Sequence, residues 1–90
     1  MEYRLEHHAV RYITEQGKIL AEITFPEVGT GIVDINRTFV DDSLRGQGIA
    51  GELMRRAVHI IERNGKHART SCSYAARWFG KHPEHRDLLA

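Results

Sequence analysis

The sequence predicts an α/β domain, with a mixed and mainly antiparallel sheet and two or three helices. Three observations carry this. Apolar residues in the first forty positions alternate with polar ones, a period of two. After residue 48 the apolar spacing lengthens to three and four, the period of a helix. A glycine-bearing loop joins the two regimes. Ninety residues, 41% of them hydrophobic and 28% charged, suit one hydrophobic core, so a single domain over 1–90 is expected.

The elements follow in order. From His8 to Glu15, Val10, Tyr12 and Thr14 alternate with Ala9, Arg11 and Ile13, which reads as a strand. Gln16-Gly17 supplies a tight turn. Lys18 to Phe25 is a second strand, with Ile19, Ala21, Ile23 and Phe25 on one face. Pro26, Gly29 and Gly31 mark another turn, and Gly31 to Val40 reads as a third strand, completing an antiparallel meander. Ile49, Leu53, Met54, Ala57, Ile60 and Ile61 then form the apolar stripe of a helix of about four turns. Asn64-Gly65 ends that helix, glycine being the usual residue just past a C-terminus. His67 to Cys72 is a short fourth strand. Tyr74 to Lys81 is a second helix, broken at His82-Pro83 because the residue before proline is pushed out of the helical region. Residues 84–89 add a further turn, giving the order β-β-β-α-β-α.

Composition narrows the function. Thirteen basic and twelve acidic residues leave a formal net charge of +1, which argues against nucleic-acid coating as the activity. The single cysteine, Cys72, has no intrachain partner, so a disulfide scaffold is excluded and a reducing compartment fits. No apolar leader opens the sequence and no run approaches a membrane span, so a cytoplasmic location is expected. The six histidines lack the spacing of a metal site and read as surface residues; no metal is expected.

The most informative stretch runs from Val40 through Arg45-Gly46-Gln47-Gly48-Ile49-Ala50 to Gly51. It leaves a strand, passes two glycines and enters an amphipathic helix. That arrangement turns backbone N–H groups and the positive end of a helix dipole toward one spot, and Arg45 adds a charge beside it. An anion is the expected ligand. Gly46, Gly48 and Gly51 match G-x-G-x-x-G, but too little chain follows Ser71-Cys72-Ser73 to build a dinucleotide-binding sheet. A P-loop is excluded because Ile49-Ala50 stand where lysine and serine or threonine belong.

Arg45 to Ala50 resembles the pyrophosphate loop of the GNAT superfamily of acetyltransferases. Thr38-Phe39-Val40 before it, with Cys72-Ser73-Tyr74 and His82-Pro83-Glu84 after it, extends the resemblance to the small stand-alone GNAT-like proteins, over about residues 8 to 88. The resemblance implies a minimal GNAT-like fold that binds acetyl-CoA or CoA. It assigns cofactor contacts to Phe39, Val40, Arg45, Gly46, Gln47, Gly48, Ile49 and Ala50. It also assigns polarisation of the acetyl carbonyl to the main chain at Thr38 to Val40. The family often carries histidine just before that threonine, where this chain has Arg37.

Thr38, Cys72 and Tyr74 are the candidate catalytic residues. Cys72 is expected at the start of a helix, where a thiolate is favoured; it serves either as a nucleophile or as a residue lining the pocket. Tyr74 is a candidate proton donor to the departing CoA thiolate, and packing of its ring is the other reading. Trp78 and Phe79 read as core. The implied function is acetyl transfer from acetyl-CoA to an amine, of a small molecule or a protein. The alternative is a CoA- or acyl-CoA-binding module with little catalysis.

Overall fold

A computed structural model describes all ninety residues, Met1–Ala90. Strands β1 (Glu2–Leu5), β2 (Ala9–Ile13), β3 (Ile19–Thr24), β4 (Glu27–Gly29), β5 (Ile32–Ile35) and β6 (Arg37–Val40) come first. A 3₁₀ turn over Asp42–Leu44 leads to helix α1 (Ile49–Arg63), then β7 (His67–Thr70), α2 (Ser73–Lys81) and a last 3₁₀ turn, Pro83–Leu88. The α/β class with a mainly antiparallel sheet and helices is what the sequence predicts. No helix is long and apolar enough to cross a membrane.

The strands form two sheets, ordered β1-β2-β3-β6 and β4-β5-β7. All pairings are antiparallel except β5 with β7. The expected continuous strand from Gly31 to Val40 is therefore two strands in two sheets. The break is at Asn36, whose N–H donates to the Thr24 carbonyl at 3.2 Å while its Oδ1 accepts the Thr24 hydroxyl at 2.6 Å. This grip pulls the chain onto β3 just as it leaves β7. The expected meander is corrected accordingly. Two short strands, β1 and β4, also lie where the sequence offered no strand signal, one polar and one only three residues long.

Ile19 was expected on the inner face but is 41% exposed. The β2–β3 register passes from Tyr12↔Ala21 to Ile13↔Ile19, so Leu20 is an extra residue in the ladder. That bulge turns Leu20 inward in place of Ile19.

Helix α1 buries Ile49, Leu53, Met54, Ala57, Val58 and Ile61 against the sheet, with Ile60 only at the margin. Its end is a Schellman motif: Lys66 N–H reaches the Ile61 carbonyl and Gly65 N–H the Glu62 carbonyl, with Gly65 at φ +68°. All 21 buried residues are hydrophobic. Trp78 and Phe79 join this core, and the rings of His82 and His85 stack on Trp78 at 4.0 and 5.5 Å. Neither histidine is a free surface group. Both are held at the end of α2.

Candidate active site

Where β5 becomes β6, the two sheets part. The parallel ladder between β5 and β7 ends with Cys72 N–H donating to the Ile35 carbonyl at 3.1 Å. Beyond it β6 pairs with β3 alone, so its other edge faces the gap. Asp41 N–H bonds the Leu20 carbonyl, and antiparallel alternation then gives the odd-numbered residues of β6 to β3. The peptide groups of Thr38 and Val40 are left pointing into the gap.

Cys72 lies on the other side of that gap, in extended backbone at the N-cap of α2 with no side-chain cap bond. Its Sγ is 3.7 Å from the Thr38 hydroxyl oxygen. Burial pushes the thiol up, but the Ala75 N–H, the Thr38 hydroxyl and the N–H groups of Tyr74 and Thr38 together hold it below the ordinary thiol value. Tyr74 behaves oppositely: burial raises its phenol, Arg55 and Arg77 oppose this, and a Cys72 thiolate adds to it. The two groups are thus pushed in opposite directions, the thiol toward its charged form and the phenol toward its neutral one.

The glycine loop completes the site. Asp41 caps the 3₁₀ turn, its Oδ2 accepting from the Ser43 N–H and hydroxyl at 3.0 and 2.6 Å, and buried Leu44 pins the turn to the core. Gly46 and Gly48 follow at φ +79° and +74°, conformations that side-chain-bearing residues avoid. The first helical bond of α1 runs from Glu52 N–H to the Gly48 carbonyl. Six consecutive N–H groups, of residues 46 to 51, therefore donate to no protein acceptor. The two left-handed glycines at the entry to α1 turn such N–H groups toward one concavity, and the helix dipole reinforces it. A Cβ on either glycine would meet nothing within 4 Å. Backbone conformation and open approach, not crowding, call for glycine at both positions.

Val40, Tyr74 and residues 44–46 and 48–51 line a cavity of about 450 Å³. The expected Val40, Arg45, Gly46, Gly48, Ile49, Ala50 and Tyr74 are thus brought together. Leu44 and Gly51 join them; an apolar residue inside a polar loop was the available signal for Leu44. Gln47 is exposed outside the cavity. Arg45 is 79% exposed and ion-paired with Asp42 at 3.0 Å, a contact weak enough to exchange for a ligand anion. Phe39 lies elsewhere: its main chain belongs to the β3 ladder and its ring sits under Arg37, on the opposite face. The residues of the loop could hold an anion, and the gap beside Thr38 and Cys72 could hold an extended arm attached to it.

Comparisons with known proteins give the family and the fold. The family model for the GCN5-related N-acetyl-transferase matches residues 4–88. Protein NATD1 of Homo sapiens and of Bos taurus are each 32% identical to this chain over 63 residues, 70% of the chain. The matched part is 56% of each, so the chain spans little more than half of those relatives. A GCN5-like protein from Staphylococcus aureus superposes with a TM-score of 0.80 at 27% identity, covering 99% of this chain and 87% of that one. An acetyltransferase of the GNAT family from Staphylococcus aureus Mu50 superposes at 0.64 and 14% identity, over 83% of this chain and 50% of that one, a likeness of fold alone.

Proposed function

Because the chain belongs to the GCN5-related N-acetyltransferase family, we propose that it transfers an acetyl group from acetyl-CoA to an amine by way of Cys72. The observation that carries this reading is the run of six unpaired N–H groups at residues 46–51, opening on a cavity that Tyr74 also lines. When bound, acetyl-CoA supplies an acetyl group on an activated thioester.

The residues of the chain divide the work. The nest of residues 46–51, with Arg45, holds the pyrophosphate. The N–H of Val40, and that of Thr38 as it is released from the sulfur when the thiolate charge passes to the acetyl carbonyl, receive the negative charge that develops on the carbonyl oxygen. The Cys72 thiolate attacks the carbonyl carbon, forming a new C–S bond as the bond to the CoA sulfur breaks. Tyr74 gives its phenolic proton to the departing sulfur and regains one from solvent. In the second half an amine attacks the acetyl-cysteine, the C–S bond breaks, and Cys72 leaves as the thiolate. The proton lost by the amine nitrogen goes to solvent. The role requires a reduced thiol, which a cytosolic location provides.

The test is an intact mass after mixing with acetyl-CoA and no acceptor. One acetyl group on Cys72, removed when an amine is added, is the expected result. Unmodified protein and full turnover in Cys72→Ala would reduce Cys72 to a pocket wall and leave direct attack by the amine.

A further inference from the structure

The face of the sheet opposite α1 carries Arg37, whose guanidinium is only partly engaged. In the β3–β6 register Thr38 and Val40 share a face with the buried Ile23 and Ala21, whereas Arg37 and Phe39 share the other with Glu22 and Arg11. The position before Thr38 therefore looks away from the cofactor loop. Arg37 directly precedes Thr38 on β6, the strand whose other edge is unpaired.

Arg37 is held there by two contacts. Its Nε donates to Glu22 Oε2 at 3.0 Å, and its guanidinium carbon lies 5.4 Å from the Phe39 ring centroid. Both terminal nitrogens lack a protein partner, and the side chain is 57% exposed. Glu22 cannot engage them further. It is 16% exposed, and its other oxygen is taken by Arg11 Nε at 2.9 Å. Arg4, opposite Arg11 in the β1–β2 register, adds a further cation to the row. Next to Arg37, Thr24 and Asn36 help to line a polar bay of about 420 Å³, together with Glu6, His8 and Arg11.

We propose that Arg37 selects the acceptor: the amine that enters from this face carries a carboxylate, which the free end of the guanidinium binds in a two-pronged fashion. This deepens the acetyl-transfer reading and rests on it. A planar fork with its orientation already fixed matches a carboxylate, which an ammonium group in its place would not. The carboxylate seats on Arg37 while the amine reaches the acetyl group through the gap between β6 and β7.

Glycine, β-alanine and 4-aminobutanoate, each compared with the alkylamine that lacks only the carboxylate, test the proposal and gauge the span. With acetyl-CoA, kcat/KM is expected to favour at least one acid over its plain amine by about tenfold, the scale of a charge-assisted pair. Arg37→Ala should cut that preference to about twofold or less, and Arg37→Lys should keep part of it. CoA binding should stay unchanged in both variants. No preference in the native protein, or the same preference in Arg37→Ala, would overturn the assignment. A second arm needs no turnover: the NMR signal of the Arg37 Nε–H should shift with at least one of the three acids and not with its plain amine. Equal shifts with acid and amine, or none with any acid, would also overturn it. Failure to bind CoA sinks the parent reading instead, and the NMR arm still decides this one.

Discussion

The Cys72 sulfur lies 3.7 Å from the Thr38 hydroxyl oxygen, joining the N-cap of α2 to the free edge of β6. While the thiol is protonated it donates to that oxygen. Once it ionises, the hydroxyl turns and donates to the sulfur, favouring the charged form.

Cys72 should therefore react with iodoacetamide at a lower pH than a free cysteine does. Because its folded pKa lies below the unfolded one, the thiolate stabilises the fold fully above the unfolded value, and this is lost as pH falls through the folded value. Thr38→Val keeps the side-chain shape and removes the hydroxyl. The alkylation profile should move upward in pH, and acetylation of Cys72 at neutral pH should slow about tenfold, the worth of one hydrogen bond to a charged group.

Gly48→Glu should abolish CoA binding. It places a carboxylate among the unpaired N–H groups and forces a side chain into φ +74°. The backbone strain costs about 1–2 kcal/mol. The position is exposed, so folding should survive. Arg45→Ala, by contrast, should weaken binding by about 1–3 kcal/mol. Titration calorimetry distinguishes the two, and normal CoA binding by Gly48→Glu would put the anion site elsewhere.

Tyr74→Phe should separate the half-reactions. With Tyr74 as the proposed proton donor of the first half, release of CoA thiol should slow about a hundredfold. Discharge of acetyl-Cys72 to an amine should not change. Equal slowing of both halves would point to a packing role for the ring.

Leu53→Ala tests the platform under the loop. Leu53 is fully buried one turn into α1, so the truncation should cost about 2–5 kcal/mol. Chemical denaturation measures it. A loss under 1 kcal/mol would mean that α1 is not seated on the sheet as described.

What was legible in the sequence is what neighbouring residues decide. The stripe from Ile49 to Ile61, the stop at Asn64-Gly65 and the loop from Arg45 to Ala50 are local patterns. The break at Asn36 was hidden because Ile32 to Ile35 and Arg37 to Val40 both read as strand. Only pairing with β7 on one side and β3 on the other divides them. Ile19 misled for the same reason, since nothing in the sequence signals the Leu20 bulge. At the site, the approach of Thr38 to Cys72 spans 34 residues, and no spacing in the sequence signals it. Arg37 looked like a missing base. Its tie to Glu22, fifteen residues back, became visible only when β3 and β6 were seen side by side.

The central claim is that residues 45–51 bind CoA, and thermal unfolding with nucleotide ligands tests it most directly. At CoA near a hundred times its Kd, linkage adds about 2.7 kcal/mol, which for ninety residues raises Tm on the order of ten degrees. NAD and ATP at the same concentration should shift it far less, and Gly48→Glu should lose the CoA shift. No rise in Tm with millimolar CoA, or an equal rise with all three ligands, would contradict the account.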